Sequence, residues 1–348
     1  MDTSLKYRAK FIANQNRFKA EYKKLFDKMA IDIGLLANDP HARFTKSFNF
    51  DKKITKEIDG IITNFHNDAL KLTEDQIRKS WDFSNQKNDE IVNGYLKTIT
   101  GLKSAETIAY FLPNVKALEA FIGRSKNSET LSDAVWKISN QLRQEVEIHL
   151  GMGITNGDSA QVISRRIRQY LNNPDALFKR VRDAKGNLVA SKKMIENKPG
   201  QGVYNSSYKN ALRVARTETN RSYLASDLLR WSQMDMVIGM EIRLSDSHPD
   251  YAKPEICEEL AGIYPKDYVF LGNHPSCLCM AIPILASKED FLHHMDTGEP
   301  LKSKQIKEYP SNFKDFWSTN YEKYSGYKQK PYIMEDNLKA INKVLKIK

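Results

Sequence analysis

The stretch EICEELAGIYPKDYVFLGNHPSCLC, residues 255–279, contains every cysteine of this 348-residue chain. Two of the seven histidines, His248 and His274, lie just before this stretch or inside it. Three thiolates and one imidazole form a ligand set that favours zinc, which binds sulfur and nitrogen donors in structural sites. The sequence therefore predicts a structural zinc site with the ligands Cys257, His274, Cys277 and Cys279, in which His248 is the substitute for His274.

Two other interpretations of the cysteines stay open at the level of sequence. The spacing H-x-x-C-x-C is not one of the common zinc-finger spacings, and free cysteines are among the most buried residue types, so these thiols also fit an apolar core. A disulfide is the weaker alternative, because three cysteines leave one unpaired. The close neighbours Cys277 and Cys279 also suit a shared ligand better than a bridge.

Two short strands are predicted on either side of the cysteines. Apolar residues alternate with others over 238–244 and again over 278–285, and a period of two indicates a strand with one buried face. Pro283 cannot donate a ladder hydrogen bond, so the second strand is expected at a sheet edge or near its own end. The cysteines thus belong to a small sheet with a Cys/His loop subdomain at 245–285.

Helical periodicity dominates the rest of the chain. Apolar residues recur every three or four positions, as expected for helices that bury one face. The predicted helices lie near residues 3–30, 51–100, 131–146 and 206–234, with Ser132-Asp133 as the cap of the third and a turn-rich loop or hairpin over 183–205. The predicted fold is α+β and mostly α-helical, with an N-terminal α-helical adaptor region over 1–125 and an α+β domain over 126–290.

The remaining region, 291–348, is an extension rich in aromatic and basic residues. Its aromatic side chains suit either the stacking of nucleic-acid bases or an aromatic strap packed on its own domain, and the strap is the commoner outcome. These residues are Phe313, Phe316, Trp317, Tyr321, Tyr324 and Tyr327.

The positive charge of the chain is concentrated in its middle. The formal net charge is +11, and residues 161–230 hold 15 Lys and Arg against 5 Asp and Glu. Such an excess indicates a polyanionic partner, either nucleic acid or an acidic protein surface. No base-reading motif accompanies it, so we expect phosphate contacts without sequence preference. The predicted DNA-binding residues are Arg165, Arg166, Arg168, Lys179, Arg180, Arg182, Lys192 and Lys193.

Membrane and export signals are not expected. No apolar run of the sequence is long enough to span a bilayer, and residues 1–11 are charged throughout, without an apolar signal core. We therefore expect a chain that is made and kept in a reducing cytoplasm and has no membrane partner.

Three blocks stand in a fixed order along the chain. A basic segment precedes Gly202-Val203-Tyr204, ARTETN occupies 215–220, and CEELAGIYPKD is followed by HPSCLC at 274–279. Together they resemble the Phage Mu F-like minor head protein family, also called the phage head morphogenesis domain. In that family an A-R-T-E-[TI]-N-type helix precedes a strand, a cysteine loop and an H-P-x-C-R-C-type signature. The resemblance covers roughly 130–290, and Leu278 stands where the family usually has arginine.

The resemblance implies a minor structural protein of a tailed phage or prophage. Such proteins are built into the procapsid near the portal in a few copies and are associated with DNA packaging or ejection. The expected partners are the portal protein, the major capsid protein or both, together with phage DNA. The expected location is the phage head, and the bacterial host cytoplasm during assembly. The resemblance also implies that the four predicted ligands act together in holding their subdomain.

A toxin-like enzyme that acts on nucleotide or nucleic acid is the alternative, of the ADP-ribosyltransferase or nuclease type. Phage Mu F-like domains also occur fused to toxins, and Glu218 lies among arginines. However, the chain has no H-E-x-x-H, no P-loop, no paired acidic metal site and no nucleophile with a base partner. Arg216 and Arg221 flank Glu218, which favours a structural ion pair. We therefore expect no enzymatic activity, and a DNA-binding regulator ranks last because no helix-turn-helix or finger is present.

Overall fold

The computed structural model describes residues 2–42, 50–97, 99, 107–125, 129–174, 181–182, 188–189, 204–246, 248, 255–301, 305–328 and 330–347. Over these residues the fold is α+β and mostly α-helical, which confirms the predicted class. The helices are α1 (Thr3–Leu35), α2 (Lys52–Leu96), α3 (Val115–Gly123), α4 (Leu131–Thr155), α5 (Ala160–Asn172), α6 (Ser207–Ser232), α7 (Ile256–Glu259), α8 (Lys288–Thr297), α9 (Ser311–Ser325), α10 (Tyr332–Asp336) and α11 (Leu338–Leu345). The strands are β1 (Val181–Arg182), β2 (Leu188–Val189), β3 (Val237–Arg243), β4 (Gly262–Pro265) and β5 (Met280–Leu285). Among the described residues, no helix combines enough length with enough apolar character to cross a membrane.

The chain divides into two compact units, each built from segments that are not consecutive in sequence. The first, here the sheet unit, consists of Met1–Asn14, Gln76–Ile122 and Arg216–Lys348. The second, here the helical unit, consists of Gln15–Asp75 and Gly123–Ala215. The sequence-based regions 1–125, 126–290 and 291–348 are consecutive stretches, so the compact units group the chain differently. Long helices are the reason, because α1, α2 and α6 each contribute residues to both units.

The helical unit has an apolar core made by regularly spaced side chains. Ile54, Ile58 and Ile62 of α2 are almost completely buried and recur every four residues, so they lie on one face of the helix. Gly34, in the last turn of α1, allows a close approach of α5, because a Cβ there would lie 2.7 Å from the Ala160 carbonyl oxygen. The short antiparallel pair β1–β2 places one strand just before the stretch 183–205 predicted as a loop or hairpin and one inside it, and most of that stretch lies outside the described residues.

The sheet unit contains a three-stranded antiparallel sheet in the order β4-β3-β5. Met240 of β3 is paired with Tyr264 of β4 on one side and with Pro283 of β5 on the other. Pro283 therefore lies in an edge strand of this sheet, as predicted from its missing N–H. The strands β3 and β5 were predicted from alternation. The four-residue strand β4 is too short to show that pattern and was not predicted.

Of the six predicted aromatic residues, Phe313, Phe316 and Trp317 lie in the core of the sheet unit, Tyr321 and Tyr324 are partly buried against it, and Tyr327 is exposed. Phe313 and Trp317 of α9 are fully buried, and the Phe313 ring meets Tyr264 edge-on with centroids 5.7 Å apart. Phe316 is also buried and packs against Trp317. These three rings therefore pack as a strap and are not exposed for base stacking.

Candidate metal centre

Two separate turns of the sheet unit bring the cysteines together. Cys257 lies in the one-turn helix α7, which begins with a capping box in which the Glu255 and Glu258 side chains bind each other's backbone N–H groups. Cys277 and Cys279 directly precede β5. The Cys277 N–H donates to the His274 carbonyl at 3.1 Å and closes a turn. The Cys257 and Cys277 sulfur atoms consequently lie 3.7 Å apart.

Two residues of the loop before β5 have a positive φ angle. Gly272 has φ of +94°, which glycine adopts without strain, and Ser276 has φ of +63°. The Ser276 N–H donates to the Thr217 hydroxyl of α6 at 2.9 Å and so fixes the unusual backbone position. These two positions let residues 273–277 turn back so that His274 and Cys277 face Cys257.

The assembled cluster offers five candidate metal ligands in two overlapping groups. Ligand atoms of Cys257, His274 and Cys277 all lie within 4.8 Å of one another, and so do those of His248, Cys257 and Cys279. All three cysteines are buried free thiols. The 3.7 Å separation of Cys257 and Cys277 is far longer than a disulfide bond of about 2.05 Å, so the disulfide alternative does not apply to this structure. The cluster of Cys257, His274, Cys277 and Cys279 could hold a metal ion.

His274 has the tautomer that a metal ligand needs. Its Nδ1 lies 2.8 Å from the Pro275 carbonyl oxygen, and because a carbonyl can only accept, Nδ1 carries the proton and donates. In the neutral ring the Nε2 atom therefore holds the lone pair, and it is buried with no hydrogen-bond partner among the described residues. Metal-bound histidines usually donate their second N–H to a carbonyl or carboxylate in this way.

His248 lies beside a carboxylate. Its Nε2 is 3.5 Å from Glu258 Oε1, and its side chain is almost fully buried. Four donors complete a tetrahedral zinc site, so one of the two histidines would remain outside the first coordination sphere. Both Nε2 atoms are buried, and His248 groups with Cys257 and Cys279 whereas His274 groups with Cys257 and Cys277, so either histidine can complete the site.

Hydrogen bonds within the cluster favour a thiolate at Cys277. The thiols of Cys257 and Cys279 hydrogen-bond to Cys277 and hold its pKa well below the ordinary value, and the backbone N–H of Asn273 acts in the same direction. The same bond to Cys277 raises the pKa of Cys257. The Asn273 side-chain amide also donates to the Cys257 sulfur at 3.5 Å. Thiolates are the form that binds metal, and N–H donors around the sulfur atoms stabilise that form.

A buried arginine from the first helix lies against the same loop. Arg8 is almost fully buried, and its guanidinium donates to the Asn220 side chain at 2.9 Å, to the Cys279 carbonyl at 3.1 Å and to the Leu278 carbonyl. Burial lowers the pKa of Arg8, while the charges of Tyr223 and the thiolates oppose this effect. A buried cation needs a compensating negative charge, and zinc with three thiolates and one neutral imidazole carries a net charge of about −1. Arg8 was missed by sequence reasoning, because nothing near residue 8 relates it to a loop near residue 278.

Helix α6 carries the ARTETN residues and contacts the cysteine loop. Thr217 accepts the hydrogen bond from Ser276, and Asn220 accepts the one from Arg8. Arg221 forms an ion pair with Asp336 at 3.6 Å and lies over the Tyr332 ring. The sequence predicts a pairing of Arg221 with Glu218, and the structure gives Arg221 an ion pair with Asp336.

Only part of the predicted DNA-binding set lies within the described residues. Arg165, Arg166 and Arg168 lie on α5, where they are exposed or half-buried, and Arg166 forms an ion pair with Asp158. For Arg182 the structure describes the backbone in β1 and not the side chain. The other predicted residues, Lys179, Arg180, Lys192 and Lys193, lie outside the described residues.

No protein-family model, curated protein or solved structure matches this chain. The Phage Mu F-like resemblance therefore rests on the sequence blocks themselves.

Proposed function

We propose that the protein is a minor head protein of a tailed phage or prophage. In this proposal it associates with the portal or capsid and acts in head morphogenesis and in DNA packaging or ejection. The observation that supports it best is the hydrogen bond of 2.9 Å from the Ser276 N–H to the Thr217 hydroxyl. It joins the ARTETN helix to the HPSCLC loop, two blocks of the resemblance that are far apart in sequence. Blocks that pack on one another form a single scaffold, as expected for a structural protein.

We also propose that zinc is bound by Cys257, His274, Cys277 and Cys279. Zinc bound by four protein ligands has no open position for water or substrate, so it would stabilise the loop and not catalyse a reaction. Asn273, Arg8 and the Pro275 carbonyl orient the ligands and balance their charge through the contacts described above. Arg216, Glu218 and Asn220 are scaffold residues of α6 in this proposal, and Asn220 is buried with its side chain bonded to Arg8.

Particle purification tests the proposed function. Mature phage particles and isolated portal rings are purified from cells that produce the tagged chain, and mass spectrometry measures the number of chains per particle. We expect a few copies in the particle or portal fraction. A chain found free in the cytosolic fraction, with none in the particles or portal rings, would contradict the proposal.

A variant of the α6 contact sharpens this test. Thr217→Val removes the hydroxyl that accepts from Ser276 and keeps the shape of the side chain, so we expect fewer copies per particle. Thr297→Val is the matched control, because the Thr297 hydroxyl donates locally to the His293 carbonyl at the exposed end of α8. Equal incorporation of both variants would show that the joined blocks have no part in assembly.

A further inference from the structure

A groove of about 620 Å³ lies on the helical unit between α1 and α5. The residues that line it are three cations, one carboxylate, three amides and a tyrosine. The lining residues are Lys23, Asp27, Arg165, Arg168, Gln169, Tyr170, Asn172 and Asn173.

The two arginines of the groove differ from Arg143 and Arg166 of the same unit in their ion pairs. Arg165 and Arg168 form no ion pair with any carboxylate among the described residues, whereas Arg166 pairs with Asp158. Arg143 pairs with both Asp59 and Glu147, at 2.8 Å and 3.0 Å. The carboxylate of the groove is neutralised by Lys23, whose Nζ lies 2.5 Å from Asp27. The groove therefore presents two guanidinium charges without a carboxylate partner in the described part of the chain.

We propose that this groove binds the sugar–phosphate backbone of one DNA strand without base preference. The identification of the strand as DNA rests on the proposed phage-head function, whereas the preference for a phosphodiester chain rests on the groove. A guanidinium binds phosphate oxygens through two parallel hydrogen bonds, and side-chain amides commonly donate to phosphate and sugar oxygens. Gln169 and Asn173 supply such amides beside Arg165 and Arg168.

The aromatic residue of the groove is already engaged, which argues against base stacking. The Tyr170 hydroxyl donates to the Asn205 carbonyl at 2.8 Å, and its ring packs against His149 with centroids 5.0 Å apart. Phosphate contacts therefore dominate, and the affinity should not depend on base sequence. A positively charged groove that follows the backbone is a common way for proteins to bind a single strand.

Fluorescence anisotropy with the full chain tests the groove. Random-sequence single-stranded and duplex oligonucleotides are titrated at several salt concentrations, with polyglutamate as the acidic-protein competitor. The groove variant R165Q/R168Q should weaken binding about tenfold or more on every sequence and reduce the salt slope by about 1.4 on single strands. The control variant R143Q/R243Q loses the same number of charges from arginines that pair with carboxylates, and it should bind as the wild type does. If the single strand binds more tightly than the duplex, the groove binds a strand that is not base-paired. If both bind equally, it binds one strand of a duplex.

Several results would overturn the proposal. These are an absence of DNA binding at low salt, equal losses in the groove and control variants, and displacement of DNA by polyglutamate at matched charge. A measurement on the wild type guards against a misfolded variant: DNA should protect Arg165 and Arg168, and not Arg243, from modification by phenylglyoxal. Uniform protection or none would count against the groove. Both assays use purified chain and free DNA, so they can succeed or fail whether or not the chain enters phage particles.

Discussion

The sheet unit and the helical unit bury polar groups in different ways. In the sheet unit Arg8, Lys87, Asp227 and Arg230 are all at most 2% exposed, whereas the most deeply buried acid among the described residues of the helical unit is Glu145, at 7%. Buried charges require defined partners, because an unpaired charge in the interior costs several kcal/mol. Apolar stripes require only approximate shape and volume. Removing the partner of one buried charge should therefore unfold the sheet unit, whereas the helical unit should tolerate more substitutions.

The buried network around Asp227 illustrates this dependence. Asp227 forms an ion pair with Lys87 and accepts from Ser84 at 2.6 Å and from Asn88 at 2.8 Å. The Asn88 side chain in turn accepts from the Trp231 indole at 2.7 Å. Every member is buried, so the network fixes one arrangement of α2 and α6 within the sheet unit.

The largest effect is expected when the metal cluster loses a sulfur ligand. Structural zinc can contribute an apparent binding free energy on the order of 10 kcal/mol, so Cys257→Ser should unfold the loops around the cluster. Hydrogen exchange should then show faster exchange throughout β3, β4 and β5, with α4 and α5 still protected. His293→Ala, at an exposed histidine of α8, is the control and should change nothing. Equal loss of protection in both units would refute their proposed difference.

The next largest effect is expected at the buried ion pair. Asp227→Asn leaves Lys87 as an uncompensated buried charge and should reduce the free energy of unfolding by about 3–5 kcal/mol. The double variant Lys87→Met/Asp227→Leu removes both charges and should cost clearly less than the single variant. Urea denaturation measures the free energy of unfolding of both variants. A double variant as unstable as the single one would show that the single variant loses stability because the ion pair is lost, and not because Lys87 is left as an uncompensated buried charge.

A smaller, pH-dependent effect is expected in the helical unit. Burial raises the pKa of Glu145 to about 7, although Ser207 donates to it through its N–H at 3.0 Å and its hydroxyl at 2.5 Å. The native state then holds a proton that the unfolded state releases near pH 4.5, so this group's contribution to stability should fall as the pH rises from about 4.5 to about 7. The total change is on the order of 3 kcal/mol.

The Glu145→Gln variant isolates that effect. Glutamine does not titrate, so the variant should gain stability relative to the wild type as the pH rises from about 5 to about 7.5. The buried His149 lies one turn along α4, and its lowered pKa, caused by burial, gives stability the opposite pH dependence. That contribution is common to both proteins and cancels in the difference. A difference that stays constant with pH would mean that Glu145 is ionised throughout this range.

The smallest effect is expected at Arg8. Partners outside the first coordination sphere typically change metal affinity by about 10–100-fold, so Arg8→Met should weaken zinc binding by that factor in competition with a chelator. Lys10→Met is the matched control, because Lys10 is an exposed cation on the same helix. Equal zinc affinity of the two variants would remove Arg8 from the metal centre.

The fold class and the cysteine cluster could be predicted because both are local in sequence. Helical stripes are visible in any short window, and every cysteine lies between residues 257 and 279. The position of Arg8 could not be predicted, since its contact with Cys279 exists only in the folded chain. The positive φ of Ser276 was equally hidden, because serine carries no signal for that conformation. The predicted N-cap of α4, Ser132, lies two residues after the observed N-cap, Thr130, which forms a capping box with Asp133.

Metal analysis of the purified chain tests the zinc centre most directly. The protein is purified without a chelator and its metal content is measured by elemental analysis, and its melting curve is recorded with and without EDTA. We predict about one zinc per chain and a clear loss of thermal stability with EDTA. Less than about a tenth of an equivalent of zinc, together with a melting curve that EDTA does not change, would contradict the metal centre and leave the three cysteines as ordinary core residues.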